Sequence, residues 1–170
     1  MKRKLIWLIT ALSFFCVVSP LSAEPTFRMV YNNKGAPPRI MGDGTSIDWS
    51  KPGITLELFK MVEKRAGVPF QFKRMPWKRC LYLVERGSAD ATFHASYKPD
   101  RAKYGLYPTR NGKLDRARSI YNASYVFYAK KGSGVTWDGK TINNVSRPIG
   151  TQLSYAIADD LRKMGYEVEE

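Results

Sequence analysis

From Thr26 onward, short runs of β-forming residues alternate with stretches whose apolar positions recur at helical spacing. TFRMVY reads as a strand, and the NNKGAPPR after it is a Gly/Pro-rich loop. A second loop, SIDWSKPG, leads into TLELFKMVEKRAG. There Leu58, Met61, Val62 and Ala66 fall at helical spacing while Glu57, Lys60, Glu63 and Lys64 occupy the remaining surface. The spacing predicts a helix that buries the first set. Gly67 supplies a left-handed C-terminal residue and Pro69 prevents continuation, so PFQFKRM begins a new strand. The unit recurs: Pro76 stands at the first helical position, KRCLYLVER carries Cys80, Leu81 and Val84 on one side, and Gly87 ends the helix before the strand ADATF. SYAIADDLRKMG, closed by Gly165 and followed by YEVEE, is a third helix-glycine-strand passage.

Strands alternating with helices argue for parallel βαβ units and an α/β class. In open sheets of that kind, ligands bind outside the carboxyl ends of the strands. SYKPDRAKY, which contains Ser96 and Arg101, comes directly after the apolar run ADATFHA, just past the end of that strand, and so falls in that region. Beyond a polar loop crowded with Arg110, Lys113, Arg116 and Arg118, SIYNASYVFYAKKGSG is rich in β-formers. Tyr125 to Ala129 is expected to be a strand leaving the first unit, and Lys131 to Gly134 to lead into a second lobe. Only 40 residues come after Lys130, fewer than the roughly 50 of a small domain. The second lobe is expected to be incomplete.

MKRKLIWLITALSFFCVVSPLSA has the form of a secretory signal peptide, with Lys2, Arg3 and Lys4 before the apolar run Leu5 to Val18 and a small-residue cleavage site at Leu21-Ser22-Ala23. The mature chain is then expected to start at Glu24 and to be periplasmic. Cleavage leaves Cys80 as the only cysteine, which excludes an intramolecular disulfide even in an oxidising compartment. The net charge of +13 falls to +10 when those three cations are removed. Export argues against nucleic acid as the partner for this charge, so an acidic small ligand or a solvated basic surface accounts for it better.

Arg101 is the strongest single candidate for chemistry, because its planar fork can hold a carboxylate through two parallel charge-assisted hydrogen bonds. Ser96 can add a hydroxyl, Pro99 stiffens the connection, and Asp100 is a candidate cap for the adjoining short helix. An ordinary surface turn would account for the same spacing. His94 and Cys80 cannot make a metal cluster unaided, and no nucleophile-base-orienter set, phosphate loop or zinc spacing is present. No cofactor is expected.

The segment from Gly53 to Pro108 resembles the first lobe of the family 3 extracellular solute-binding proteins, the receptors of polar amino-acid ABC transporters. The resemblance rests on Ala66-Gly67 ending a helix, Trp77 opening the next, Gly87 with Ala89-Asp90 before a strand, and Ser96 with Pro99-Asp100-Arg101 after it. It extends from about Thr26 to Glu170 and implies a type 2 periplasmic-binding fold: a signal peptide at 1–23, a first lobe at 24–124 with a mostly parallel sheet flanked by helices, a hinge strand at 125–131 and a partial second lobe at 132–170. It further implies a non-enzymatic, monomeric receptor that delivers a small carboxylate-bearing solute, such as a polar amino acid, to a membrane permease. By the same resemblance Arg101 would bind the ligand carboxylate, Ser96 would hydrogen-bond it, the backbone near His94 would offer a carbonyl, and Trp77 and Tyr31 would sandwich the ligand side chain, with Trp49 a weaker choice. Asn32 and Asn33 depart from an expected acid after the first strand, and Ser154 stands where a second glycine is frequent after Gly150. The acid that would pair with a ligand ammonium is not found by Glu170. Three alternatives stay open: a cyclohexadienyl dehydratase-type lyase using His94, Asp100 or Glu57, a sensory or accessory binding protein, and a non-functional remnant.

Overall fold

FRMVYN forms β1 (Phe27–Asn32), the centre of the largest sheet. A computed structural model of the protein describes residues 26–170. The leader at 1–23 and the start at Glu24 lie outside those described residues. After β1 the chain makes a long loop and then α1 (Ile54–Ala66), β2 (Phe70–Met75), α2 (Trp77–Glu85) and β3 (Ala91–Thr92). Both outer strands pair parallel to β1, giving the order β2-β1-β3 with Phe27 opposite Phe70 and Met29 opposite Ala91. A central parallel strand is covered on both faces. Accordingly Met29 and Tyr31 join Leu56 of α1 in one core cluster, whereas Val30 joins Trp77 and Cys80 of α2 in another.

The face that α1 buries differs from the face its periodicity suggests. Leu56 is 1% exposed and Thr55 is buried beside it, while Leu58 is 40% and Met61 69% exposed. Ala66 is also exposed. The helix carries two overlapping apolar stripes, and the sheet chooses between them. Phe59 meets a row of rings on the sheet, with centroid distances of 5.0 Å to Phe93, 6.2 Å to Phe72 and 6.4 Å to Phe70. Glu63, which the pattern places outward, accepts a 2.8 Å hydrogen bond from the Phe70 backbone N–H. At the other end, Gly53 has φ 100°, and a Cβ there would lie 2.6 Å from the Arg39 carbonyl oxygen. This close approach lets the Ile54 and Thr55 amides donate to the Pro38 and Arg39 carbonyls, which fixes the loop against the helix.

Pro76 caps α2 from outside and Trp77 is its first residue, one position later than expected. Asp100 does not cap α3 (Pro99–Ala102); Lys98 holds the cap position without a side-chain bond, and Asp100 pairs with Lys103 at 2.7 Å. The polar loop folds into a hairpin of β4 (Thr109–Arg110) and β5 (Lys113–Leu114), where Asp115 gathers Arg110 at 3.0 Å and Arg118 at 3.5 Å. Residues 125–129, expected to be a strand, run without a ladder. β-forming side chains favour the extended backbone, but a strand also needs a hydrogen-bonding neighbour, and none of the described residues provides one. A second hairpin comes next, β6 (Thr136–Trp137) with β7 (Ile142–Asn143). The C-terminal helix-glycine-strand passage forms a small βαβ unit of β8 (Ile149–Gly150), α4 (Ala156–Lys163) and β9 (Val168–Glu169), with the two strands parallel. The described residues form a mixed α/β arrangement with small parallel and antiparallel sheets and four α-helices.

The choice of buried face predicts that Leu56→Ala costs about 2–5 kcal/mol of stability, whereas Leu58→Ala stays within about 1 kcal/mol. Urea denaturation of the two variants checks this, and equal losses would contradict the packing of α1.

Candidate functional site

The strand order reverses at β1, because the chain crosses from β1 to β2 on one side and returns through α2 to β3 on the other. Such a reversal leaves a crevice beyond the carboxyl ends of the strands. A cleft of about 280 Å³ lies there, near the lower end of the roughly 300–1,000 Å³ of small-molecule sites. Its walls come from the loop after β1 (Asn32, Lys34, Arg39), the segment after β3 (Phe93, His94, Ser96), α2 (Trp77), α3 (Arg101), the stretch around Tyr121 and Tyr125, and the loop before α4 (Gln152, Tyr155).

Four of the residues singled out by sequence pattern meet in this cleft: Arg101, Ser96, Trp77 and His94. Arg101 is 8% exposed. One terminal nitrogen donates to the Ser96 carbonyl at 3.0 Å and the other to the Ser154 carbonyl at 2.9 Å, and the guanidinium carbon stands 5.7 Å from the centroid of the Trp77 ring. Two of its five N–H donors are thereby engaged, which holds the fork in place and leaves donors over. The Ser96 hydroxyl is 3.5 Å from the Tyr125 hydroxyl. Trp77 is buried, and its indole N–H donates to the same Ser154 carbonyl at 3.2 Å.

His94 has φ 61°, the left-handed region that non-glycine residues seldom occupy. Its Nε2 lies 3.1 Å from the Thr55 hydroxyl, and its ring packs edge-on to Tyr121 at 4.5 Å. Burial first, and the nearby Arg39 cation second, push its pKa down to about 4, so the imidazole is neutral at physiological pH.

Tyr31 sits elsewhere. It is 1% exposed, stacks on Phe93 at 4.9 Å and belongs to the core beneath the cleft rather than to its lining. Burial pushes its hydroxyl up to about 12. Alternation along β1 is the cause, since Tyr31 shares the α1 face with Met29 and the next residue, Asn32, is the one that reaches the cleft. Trp49 lies on the far side, edge-on to Phe72 at 5.7 Å and under Lys60. Glu57 is exposed on α1 and Asp100 is exposed on α3, so of the three acid-base nominees only His94 reaches the cleft.

Ser154 has φ 62°, the conformation a glycine would adopt without strain at the position where the resemblance anticipates one. Its amide donates to Glu170 at 2.7 Å, and Glu170 is in turn paired with Arg162 at 2.7 Å. Asn32 donates to the Tyr155 hydroxyl at 2.9 Å, and Lys98 donates to the Ala156 carbonyl at 3.1 Å and pairs with Asp159. These bonds, with those to the Ser154 carbonyl, dock the C-terminal βαβ unit against the first sheet. Arg101 also borders a second cavity on its outer side, shared with Lys98, Asp159 and Glu170. Arg39, Tyr121 and Tyr155 carry much of the cleft and do not stand out in the sequence. The one available signal was the arginine closing GAPPR, a rigid loop at the end of a central strand. Among the described residues no group of three or more His, Cys, Asp or Glu converges as a metal site. In comparisons with known proteins, no family model, curated protein or solved structure matches the chain.

The lowered pKa of His94 predicts a pH effect on stability. Between about 6.5, its ordinary value, and about 4 the unfolded imidazole takes up a proton that the folded one refuses, so stability falls as pH falls through that window. His94→Asn keeps a residue tolerant of the left-handed backbone and removes the titration. Its Tm should decline less than that of the unaltered protein between pH 6.5 and 4, and parallel declines would contradict the burial of His94.

Proposed function

We propose that the protein is a receptor of the type 2 periplasmic-binding kind, which captures a small carboxylate-bearing solute outside the cytoplasm and hands it to the membrane permease of an ABC transporter. The observation that carries this reading is the position of Arg101. It is a buried guanidinium beyond the carboxyl end of a parallel sheet, set on an indole face and opening on a cleft of small-molecule size. A fork held in this way recognises a planar anion with little ordering cost on binding. The cleft is walled on one side by the sheet's loops and on the other by the C-terminal βαβ unit, so a ligand between them would add contacts to both and favour the closed arrangement. The leader-like segment supports a place outside the cytoplasm, and no described helix is long and apolar enough to cross a membrane.

Loss of the fork should show directly in binding. Each charge-assisted hydrogen bond contributes about 1.5–3 kcal/mol, so Arg101→Gln is expected to weaken a carboxylate ligand by a factor on the order of a hundred or more. Calorimetric titration of both proteins with the same carboxylate measures this, with circular dichroism to verify that the variant is folded. Equal affinities would remove Arg101 from the site.

A further inference from the structure

We infer that the ligand is a small dicarboxylate rather than a zwitterionic amino acid, an inference that rests on the carboxylate-receptor reading and narrows it. The cleft presents three cations, Lys34, Arg39 and Arg101. None of them forms an ion pair among the described residues, although cations elsewhere on the protein do, as Arg28 with Asp90 and Lys98 with Asp159. Arg101 is buried and Arg39 is half-buried. Guanidinium groups withdrawn from water are ordinarily matched by an anion or by a full set of acceptors. Arg74 comes close to the second solution: equally buried, its two terminal nitrogens donate to the carbonyls of Asn33, Met41, Gly42 and Ser46 and tie down the loop they touch, and only its Nε is left without a partner. Arg39 has no such set. Its guanidinium carbon lies 4.5 Å from the centroid of the Tyr121 ring, its Nε is buried with no hydrogen-bond partner as in Arg74, and among the described residues no carbonyl takes its terminal nitrogens as four take those of Arg74.

The two arginines also form separate places for negative charge. Arg101 projects from α3, after β3, and is held by Trp77 and the Ser96 and Ser154 carbonyls. Arg39 projects from the loop after β1, seated by the start of α1, and its neighbours are Tyr121 and His94. Their contacts do not overlap, so each can receive its own carboxylate with Lys34 adding to the positive field at the rim. A ligand ammonium entering the same cleft would face three like charges. The neutral imidazole of His94 and the hydroxyls of Tyr121, Tyr125 and Tyr155 supply hydrogen bonds between the charged places without adding charge.

The test uses the full chain at pH 7 and a series of straight-chain dicarboxylates from malonate to adipate. The best of these is compared with the straight-chain monocarboxylate and the 2-amino monocarboxylic acid of the same carbon number, by thermal shift and calorimetry. The expected result is that the dicarboxylate binds at least about tenfold more tightly than either comparator. Arg39→Gln should remove that advantage by weakening the dicarboxylate much more than the monocarboxylate, whereas Arg101→Gln should weaken both. The ligand comparison on the unaltered protein decides the matter even if a variant does not fold. Tighter binding of the amino acid, or an unchanged dicarboxylate advantage in a folded Arg39→Gln, overturns the inference while Arg101-dependent binding leaves the receptor reading standing. Failure of every carboxylate to bind overturns both.

Discussion

A parallel strand paired on both edges must also be covered on both faces, and most of the described architecture comes from meeting that condition for β1. Its amides and carbonyls are taken by β2 and β3, and Met29, Val30 and Tyr31 are buried in succession because α1 lies over one face and α2 over the other. Putting helices on both sides requires the chain to leave β1 in one direction and return past it in the other. That reversal brings the loop after β1 and the segment after β3 to the same end of the sheet. Arg39, His94, Ser96 and Arg101 meet there because of the strand order, although as many as 62 positions separate them in the chain.

Three buried or half-buried arginines show how neighbours assign roles to one residue type. Arg74 is consumed by backbone acceptors and organises the loop that carries Lys34 and Arg39. Arg101 spends two donors on carbonyls from opposite walls and keeps others for the cleft. Arg39 rests on an aromatic face with a buried nitrogen unsatisfied. In the first arrangement both terminal nitrogens are satisfied within the protein and only Nε is left over; under the proposed reading the other two would gain from an anion brought from outside.

The Ser154 carbonyl connects the site to the C-terminal unit. It accepts from both Trp77 and Arg101, so the residue proposed to hold a ligand carboxylate also helps hold the two parts of the molecule together. Ser154 occupies a left-handed conformation to present that carbonyl, and Glu170 steadies it by accepting its amide. Under the proposed receptor reading, ligand capture and docking of the C-terminal unit would draw on the same guanidinium, which would couple occupancy to closure.

Much of this was legible in the chain itself. Glycine and proline punctuation located β1, α1, β2, α2 and α4 within a residue or two, because those residues act on the local backbone, and the placement of SYKPDR after a strand pointed to Arg101. Local pattern could not choose between the two apolar stripes of α1, since that depends on where Phe70, Phe72 and Phe93 stand across the sheet. Nor could it show that Tyr31 faces the core, that residues 125–129 lack a strand partner, or that Arg39 reaches the cleft. The sequence by itself determined the alternation of helix and strand and the segment after β3 that bears the buried guanidinium, because turn chemistry and side-chain period are local properties. Only the tertiary structure decided which apolar face is buried and which cations share one cleft, because both depend on strand order and on contacts between residues far apart in the chain.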